Sequence, residues 1–223
     1  MVFRDTILGF VTGVHVSTSK NMKVGDWIGI PKYNIEGNIQ DINLLTTKIV
    51  NFDKTISTIP TYDLLSTEIR NHQVMYEGSS RRIKRSIYFN IKSFKFVDDE
   101  FYEKVKDINL ISEYLDRKLR EIAESKKNIP HAERIINGQQ LTNIGLFRNY
   151  VLNYLKNNPK VDQDEIVLVR QLEISPQGMP LEIYCFANKA ELVDYERIQA
   201  DIFDHILTAA QEFDLEIMQV AKA

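Results

Sequence analysis

The densest run of chemistry-bearing side chains is Arg81-Arg82-Ile83-Lys84-Arg85. Four cations so close together can bind a phosphate backbone, line a path for ions or meet a partner subunit, or keep a strand edge soluble. In an extended strand Arg82 and Lys84 share one face, and Arg85 shares the face of Ile83. The net charge of −3, from 28 basic and 31 acidic side chains, weighs against nucleic acid. So does the lack of aromatic side chains interleaved with the basic run. Ion lining or subunit contact, and edge protection, remain as the two readings.

The other candidates for chemistry are thinner. Asp201 and His205 stand four apart on a helical segment and could share a metal ion, but two ligands make an incomplete site. An exposed i, i+4 pair explains them without a metal. His15, His72 and His131 are scattered. Asp98-Asp99-Glu100 suits the positive end of a helix dipole. Asp162 to Glu165 falls in a turn before a strand, and neither acidic group faces a nucleophile. No G-x-x-x-x-G-K-[ST], G-x-G-x-x-G, C-x-x-C or H-E-x-x-H occurs. The expectation is a protein that is not an enzyme, with no catalytic residues, cofactor or metal. Cys185, the one cysteine, lies in the apolar run LEIYCFA and is expected to be a buried, inert thiol in a reducing compartment.

The elements that would carry these residues separate into blocks. Phe3, Ile7, Phe10, Val11 and Val14 recur at helical spacing, with Gly9 and Gly13 forming G-x-x-x-G. Two glycines in one helix cost about 2 kcal/mol of propensity, which close approach of a neighbouring helix or a membrane surface would offset. Docking on the helix's own domain is the alternative. No stretch reaches the roughly 18 apolar residues of a membrane span, and no signal peptide is visible.

From Val24 the period becomes extended: VGDWIGI, EGNIQDINL, TTKIVN and KTISTIP, with a hairpin turn at Asn51 to Lys54. Four or five short strands predict a small Sm or SH3-like β-barrel, and Pro60 should end a strand or lie on an edge. VMYEGSS reads as a linker. After it, Ile83, Ile87, Phe89 and Ile91 mark one face of a strand. Ile108, Ile111, Leu115, Leu119 and Ile122 mark one helical stripe; Phe147, Tyr150, Val151 and Tyr154 mark another. EIVLVRQLEI and LEIYCFA flank the turn SPQGMP. A long helix follows, from Leu192 through Tyr195, Ile198, Ile202, Ile206 and Ala210 to Phe213, and LEIMQV reads as a last strand. The order is βαββαβ, the ferredoxin-like plan, with a helical insertion. The predicted class is α+β. The predicted divisions are 1–19 (helix), 20–73 (β-domain), 74–80 (linker) and 81–223 (ferredoxin-like domain, insertion at about 98–142).

Three stretches carry a family likeness: GDWI at Gly25 to Ile28, EGNIQDINLLTTKIVNFDKTISTIP at Glu36 to Pro60, and RRIKRSI at Arg81 to Ile87. They resemble the MscS family of mechanosensitive channels, in particular its miniconductance, YbdG-like branch. Gly25, Asp26, Gly37 and Pro60 are the β-domain positions that carry the match. Thr61 stands where many members have Asn, and the 98–142 insertion is longer than in the small-conductance type.

The resemblance implies a channel subunit that opens under membrane tension and protects against hypo-osmotic stress. Residues from about Arg4 to Ser19 would be the second half of a kinked pore helix. Phe3, Ile7, Gly9, Phe10, Val11, Gly13 and Val14 would then lie at the membrane face. The gate and the membrane helices would lie upstream of Met1. The remainder would sit on the cytoplasmic side of the inner membrane, in a cage of seven identical subunits. Its partners would be other copies of the chain, lipid and permeating ions, with no nucleic acid. Arg81, Arg82, Lys84 and Arg85 would line the cage or meet a neighbour. The rival reading is a soluble, ring-forming Sm-like binding module without channel activity.

Overall fold

The computed structural model describes residues 22–219, together with Ile7 and Val11. The chain forms two compact units, Met1–Gly78 and Ser79–Ala223.

The first unit is built on β1 (Trp27–Ile30), β2 (Ile35–Ile42), β3 (Thr46–Asn51), β4 (Ile56–Pro60) and β5 (Arg70–Asn71). They form one antiparallel sheet in the order β4-β3-β2-β1-β5. Period-2 alternation turns Ile28, Ile30, Ile39, Ile49 and Ile59 inward, where they pack with Leu64. The two edges share no ladder, so the predicted barrel is not closed by strand pairing. Two features account for this. β5 is only two residues long, and a helical turn, α1 (Asp63–Ser66), intervenes between β4 and β5. Pro60 ends the edge strand β4, where its missing N–H costs nothing. A second short helix, α2 (Gln73–Glu77), occupies the stretch that reads as linker.

The second unit contains β6 (Arg81–Phe89), α3 (Asp99–Val105), α4 (Asn109–Lys126), α5 (Asn143–Lys156), β7 (Leu168–Gln171), β8 (Met179–Ala187) and α6 (Leu192–Ala209). The sheet order is β6-β8-β7, all antiparallel. The predicted last strand is reduced to a single bridge, Ile217 to Phe89 on the outer side of β6. Even so, its position completes the ferredoxin-like order, with α5 and α6 as the two helices. Ile91 departs from the expected strand face. β6 stops at Phe89, and Ile91 lies in a 3-10 turn, 43% exposed. β7 is also shorter than expected, leaving Ile166 and Ile174 exposed beyond its ends.

One apolar core joins β6 and β8 to the helices through Ile83, Ile87, Leu181, Ile183, Phe147 and Ile202. Cys185 lies fully inside it, and burial pushes its thiol pKa up to about 12, so it stays protonated and unreactive at neutral pH. Leu192, at the first turn of α6, is exposed.

The insertion, α3 and α4 with the loop after them, is closed at its base by a short ladder. Val97 N–H donates to the Leu141 carbonyl at 3.0 Å, beside a Phe96–Thr142 bridge. Asn143, fully buried, completes the closure. Its Nδ2 donates to the Ser93 and Phe213 carbonyls at 2.9 and 3.1 Å. Its Oδ1 accepts from the Lys95 and Ile144 amides at 3.0 and 2.9 Å. Nearby, Lys104 of α3 and Lys95 pair with Asp214 at 2.7 and 2.8 Å, and their hydrogen bonds hold its carboxyl below the usual range.

Replacing Asn143 with Ala removes the side-chain partner of two carbonyls and two amides, those of Phe213 and Ile144 in buried settings. Asn143→Ala is expected to cost about 3 kcal/mol in urea unfolding of the full chain. A change below about 0.5 kcal/mol would mean the closure does not rest on this side chain.

Candidate functional site

The glycines singled out in the β-unit are needed for two different reasons, backbone conformation at Gly25 and space at Gly37. Gly25 takes φ +98° in the turn entering β1, a region that favours glycine. Asp26 clamps that turn: its Oδ2 accepts from Lys23 N–H at 3.0 Å and from Asn71 Nδ2 at 3.1 Å, tying the turn to β5. At Gly37 a Cβ would stand 2.1 Å from the Val50 carbonyl oxygen and 2.7 Å from Asn51 Cα. The β2–β3 pair therefore has no room for a side chain at this position.

The basic run lies on β6 and divides between the two faces of the sheet. On the helix side, the Arg81 guanidinium lies 4.4 Å from the Tyr195 ring, and that of Arg85 lies 4.5 Å from the Phe203 ring, both on α6. The Tyr195 hydroxyl donates to the Arg82 carbonyl at 3.0 Å, locking α6 to β6. On the opposite face Arg82 lies over Tyr184 at 5.9 Å. Lys84 reaches Glu182 at 3.8 Å. Glu182 also accepts from Arg170 Nε at 2.8 Å and Nη2 at 2.7 Å, directly across the β7–β8 pair. Its side chain is only 5% exposed, and the two cations lie on the side of the sheet where it emerges.

Sequence reasoning missed Glu182 and Arg170. The available signal was a lone acid within the apolar run MPLEIYCFA. It also missed the aromatic partners on α6, because their contacts with β6 span more than a hundred residues of chain.

Asp201 and His205 do not converge on a metal position. Asp201 pairs with Lys160 at 2.6 Å, and His205 stacks on Tyr154 at 4.1 Å between centroids while bonding the Tyr150 hydroxyl. Among the described residues, no group of three or more His, Cys, Asp and Glu could hold a metal ion. Asp98 caps α3 through the Phe101 amide at 2.8 Å, as its position predicts. Ile7 and Val11 are helical and 62% and 57% exposed. Phe3, Gly9, Phe10, Gly13 and Val14 lie outside the described residues. No described helix is long and apolar enough to cross a membrane.

Residues 5–74 match the family model "Mechanosensitive ion channel, beta-domain", and residues 113–217 match "Mechanosensitive ion channel MscS, C-terminal". The chain belongs to the MscS family of mechanosensitive ion channels. The two matches occur in order and leave β6 with its basic run, and α3, between them. Among curated proteins it is 23% identical over 211 residues to the low conductance mechanosensitive channel YnaI of Escherichia coli, covering 95% of this chain and 47% of YnaI. It is 32% identical over 71 residues to the small-conductance mechanosensitive channel MscMJ of Methanocaldococcus jannaschii, covering 32% of this chain and 20% of MscMJ. The chain thus spans about half of one relative and a fifth of the other. Among solved structures, Arabidopsis thaliana MSL1 superposes with a TM-score of 0.65 at 16% identity, over 97% of this chain and 58% of that one. Helicobacter pylori MscS in its closed state superposes at 0.57 and 15% identity, over 100% and 66%. At these identities the superpositions show the shared fold.

The tight β2–β3 pairing at Gly37 gives a direct test. Gly37→Ala is expected to lower the stability of the full chain by about 2 kcal/mol in urea, because backbone, not a flexible side chain, must move. Unchanged stability would mean the paired strands separate freely at this position.

Proposed function

We propose that this chain is the extramembrane part of a mechanosensitive channel subunit, on the cytoplasmic side of the inner membrane. The observation that carries this reading is the ordered pair of family matches spanning both compact units. We read the assembly as a homo-oligomer, with seven subunits in the complete channel, that relieves hypo-osmotic stress. The miniconductance branch rests on the Gly37 to Pro60 run, with Thr61 after the proline.

Tension does work equal to tension times the added in-plane area, so it favours the wider of two states. The leading segment is the coupling element in this reading. Its apolar stripe (Phe3, Ile7, Phe10, Val11, Val14) rests in the lipid interface, and Gly9 and Gly13 permit close approach to a neighbour. The exposure of Ile7 and Val11 supports such a placement. Placing Asp in that stripe costs interfacial burial. Val11→Asp in the full-length channel is expected to shift the opening tension in excised patches, and an unmoved threshold would count against this role.

The basic run is assigned by face. Arg82 and Lys84, exposed on the sheet face away from α6, are the candidates to line the ion route or a subunit contact. Arg81 and Arg85 have their guanidiniums on α6 rings and hold the fold. Charges along a route bias which ion passes. Arg82→Glu in the full-length channel is therefore expected to move the reversal potential in a salt gradient toward cation preference with stability kept. Arg85→Glu is expected to lower stability first. The opposite pattern would reverse the assignment.

A further inference from the structure

The outer face of the β-unit carries a cleft of about 490 Å³ that the channel reading does not use. It is lined by Gly29 and by the two turns that follow β1 and β3, with Glu36, Asn51, Phe52, Asp53, Arg70 and His72 among its walls. Ile28 and Ile30 point into the core, so strand alternation turns Gly29 the other way. A Cβ at Gly29 would meet His72 Nε2 at 3.1 Å and so would begin to fill the cleft.

One wall is aromatic. Trp27, the single tryptophan of the chain, meets Phe52 edge-on at 5.4 Å and His72 at 4.9 Å between centroids. Its Nε1 donates to Glu36 Oε1 at 3.2 Å. All three of these partners line the cleft. The other wall supplies acceptors. The Asp53 carboxyl is held below its usual range by the Thr55 hydroxyl and amide, which donate at 2.6 and 2.9 Å. The one cation, Arg70, is engaged by Glu68 at 2.9 Å.

We infer that this cleft binds an organic cation, a guanidinium or primary ammonium group, between the Trp27 cluster and the Glu36 and Asp53 carboxylates. The chemistry is matched on both sides. Aromatic faces attract a cation, and carboxylates accept its N–H donors. The cation is either a free polyamine-like solute or a basic side chain of a second copy of the chain, which present the same group.

Trp27 reports on occupancy. In the full chain, titration with agmatine or spermidine at constant ionic strength is expected to change the Trp27 emission saturably. Asp53→Asn and Glu36→Gln are each expected to weaken the apparent affinity at least fivefold, and Gly29→Val to abolish the response. Far-ultraviolet circular dichroism separates a lost site from a lost fold. If emission changes with protein concentration alone and agmatine reverses it, the natural cation is a side chain of a second copy. If only added probe changes it, the cation is a free solute. Absence of any saturable response, or an equal response in Asp53→Asn and Glu36→Gln, would overturn the proposal.

Discussion

The second unit depends on a single buried amide. Asn143 stands where three stretches of chain meet: the segment after β6, the start of α5 and the end of the 3-10 turn after α6. Each stretch brings backbone groups that no helix or sheet satisfies there, and an unpaired buried group costs about 1–3 kcal/mol. An asparagine has two donors and an acceptor with two lone pairs, which is what the crossing needs. Once the crossing is closed, residues 98–142 leave and re-enter the fold without interrupting the sheet, and their Phe101, Val105, Ile111 and Leu115 pack into the same apolar core. Lys95 and Lys104, paired with Asp214, reinforce the junction from the surface.

Strand geometry divides the charge of this unit. Five consecutive residues of β6 carry four cations, and alternation sends them to opposite faces. Arg81 and Arg85 set their guanidiniums over α6 rings beside the core. Arg82 and Lys84 face a surface where the buried Glu182 carboxylate already serves Arg170 and Lys84. The run that looks like one basic patch is therefore two arrangements with separate roles, one supporting the helix layer and one presenting charge. The family matches stop short of β6 on either side, so these contacts have to be understood from the side chains themselves.

In the first unit the constraint is space. Gly37 lets β2 pair closely with β3 with no side chain in the way, and Gly25 with Asp26 turns the chain into β1. The same sheet keeps its apolar residues on one face, which leaves Trp27, Glu36 and His72 gathered on the other. The barrel expected from five short strands stays open because β5 offers two residues and Pro60 offers no donor at the far edge. Hydrophobic alternation reports that strands exist; it does not report whether the last one is long enough to close the ring.

Local patterns in the sequence determined the strands at Thr46–Asn51 and Arg81–Phe89, the helices at Asn143–Lys156 and Leu192–Ala209, the hairpin turns and the capped start of α3. These follow from periodicity and capping, which depend on residues a few positions apart. The family likeness was also legible, because the Gly37 to Pro60 run keeps its residue types and order. Tertiary structure alone decided the rest: the Glu182 charge cluster, the aromatic seats of Arg81 and Arg85, the Asn143 crossing and the cleft floored by Gly29. Each joins residues from separate elements, and the helix and strand periods carry no information about which elements will meet.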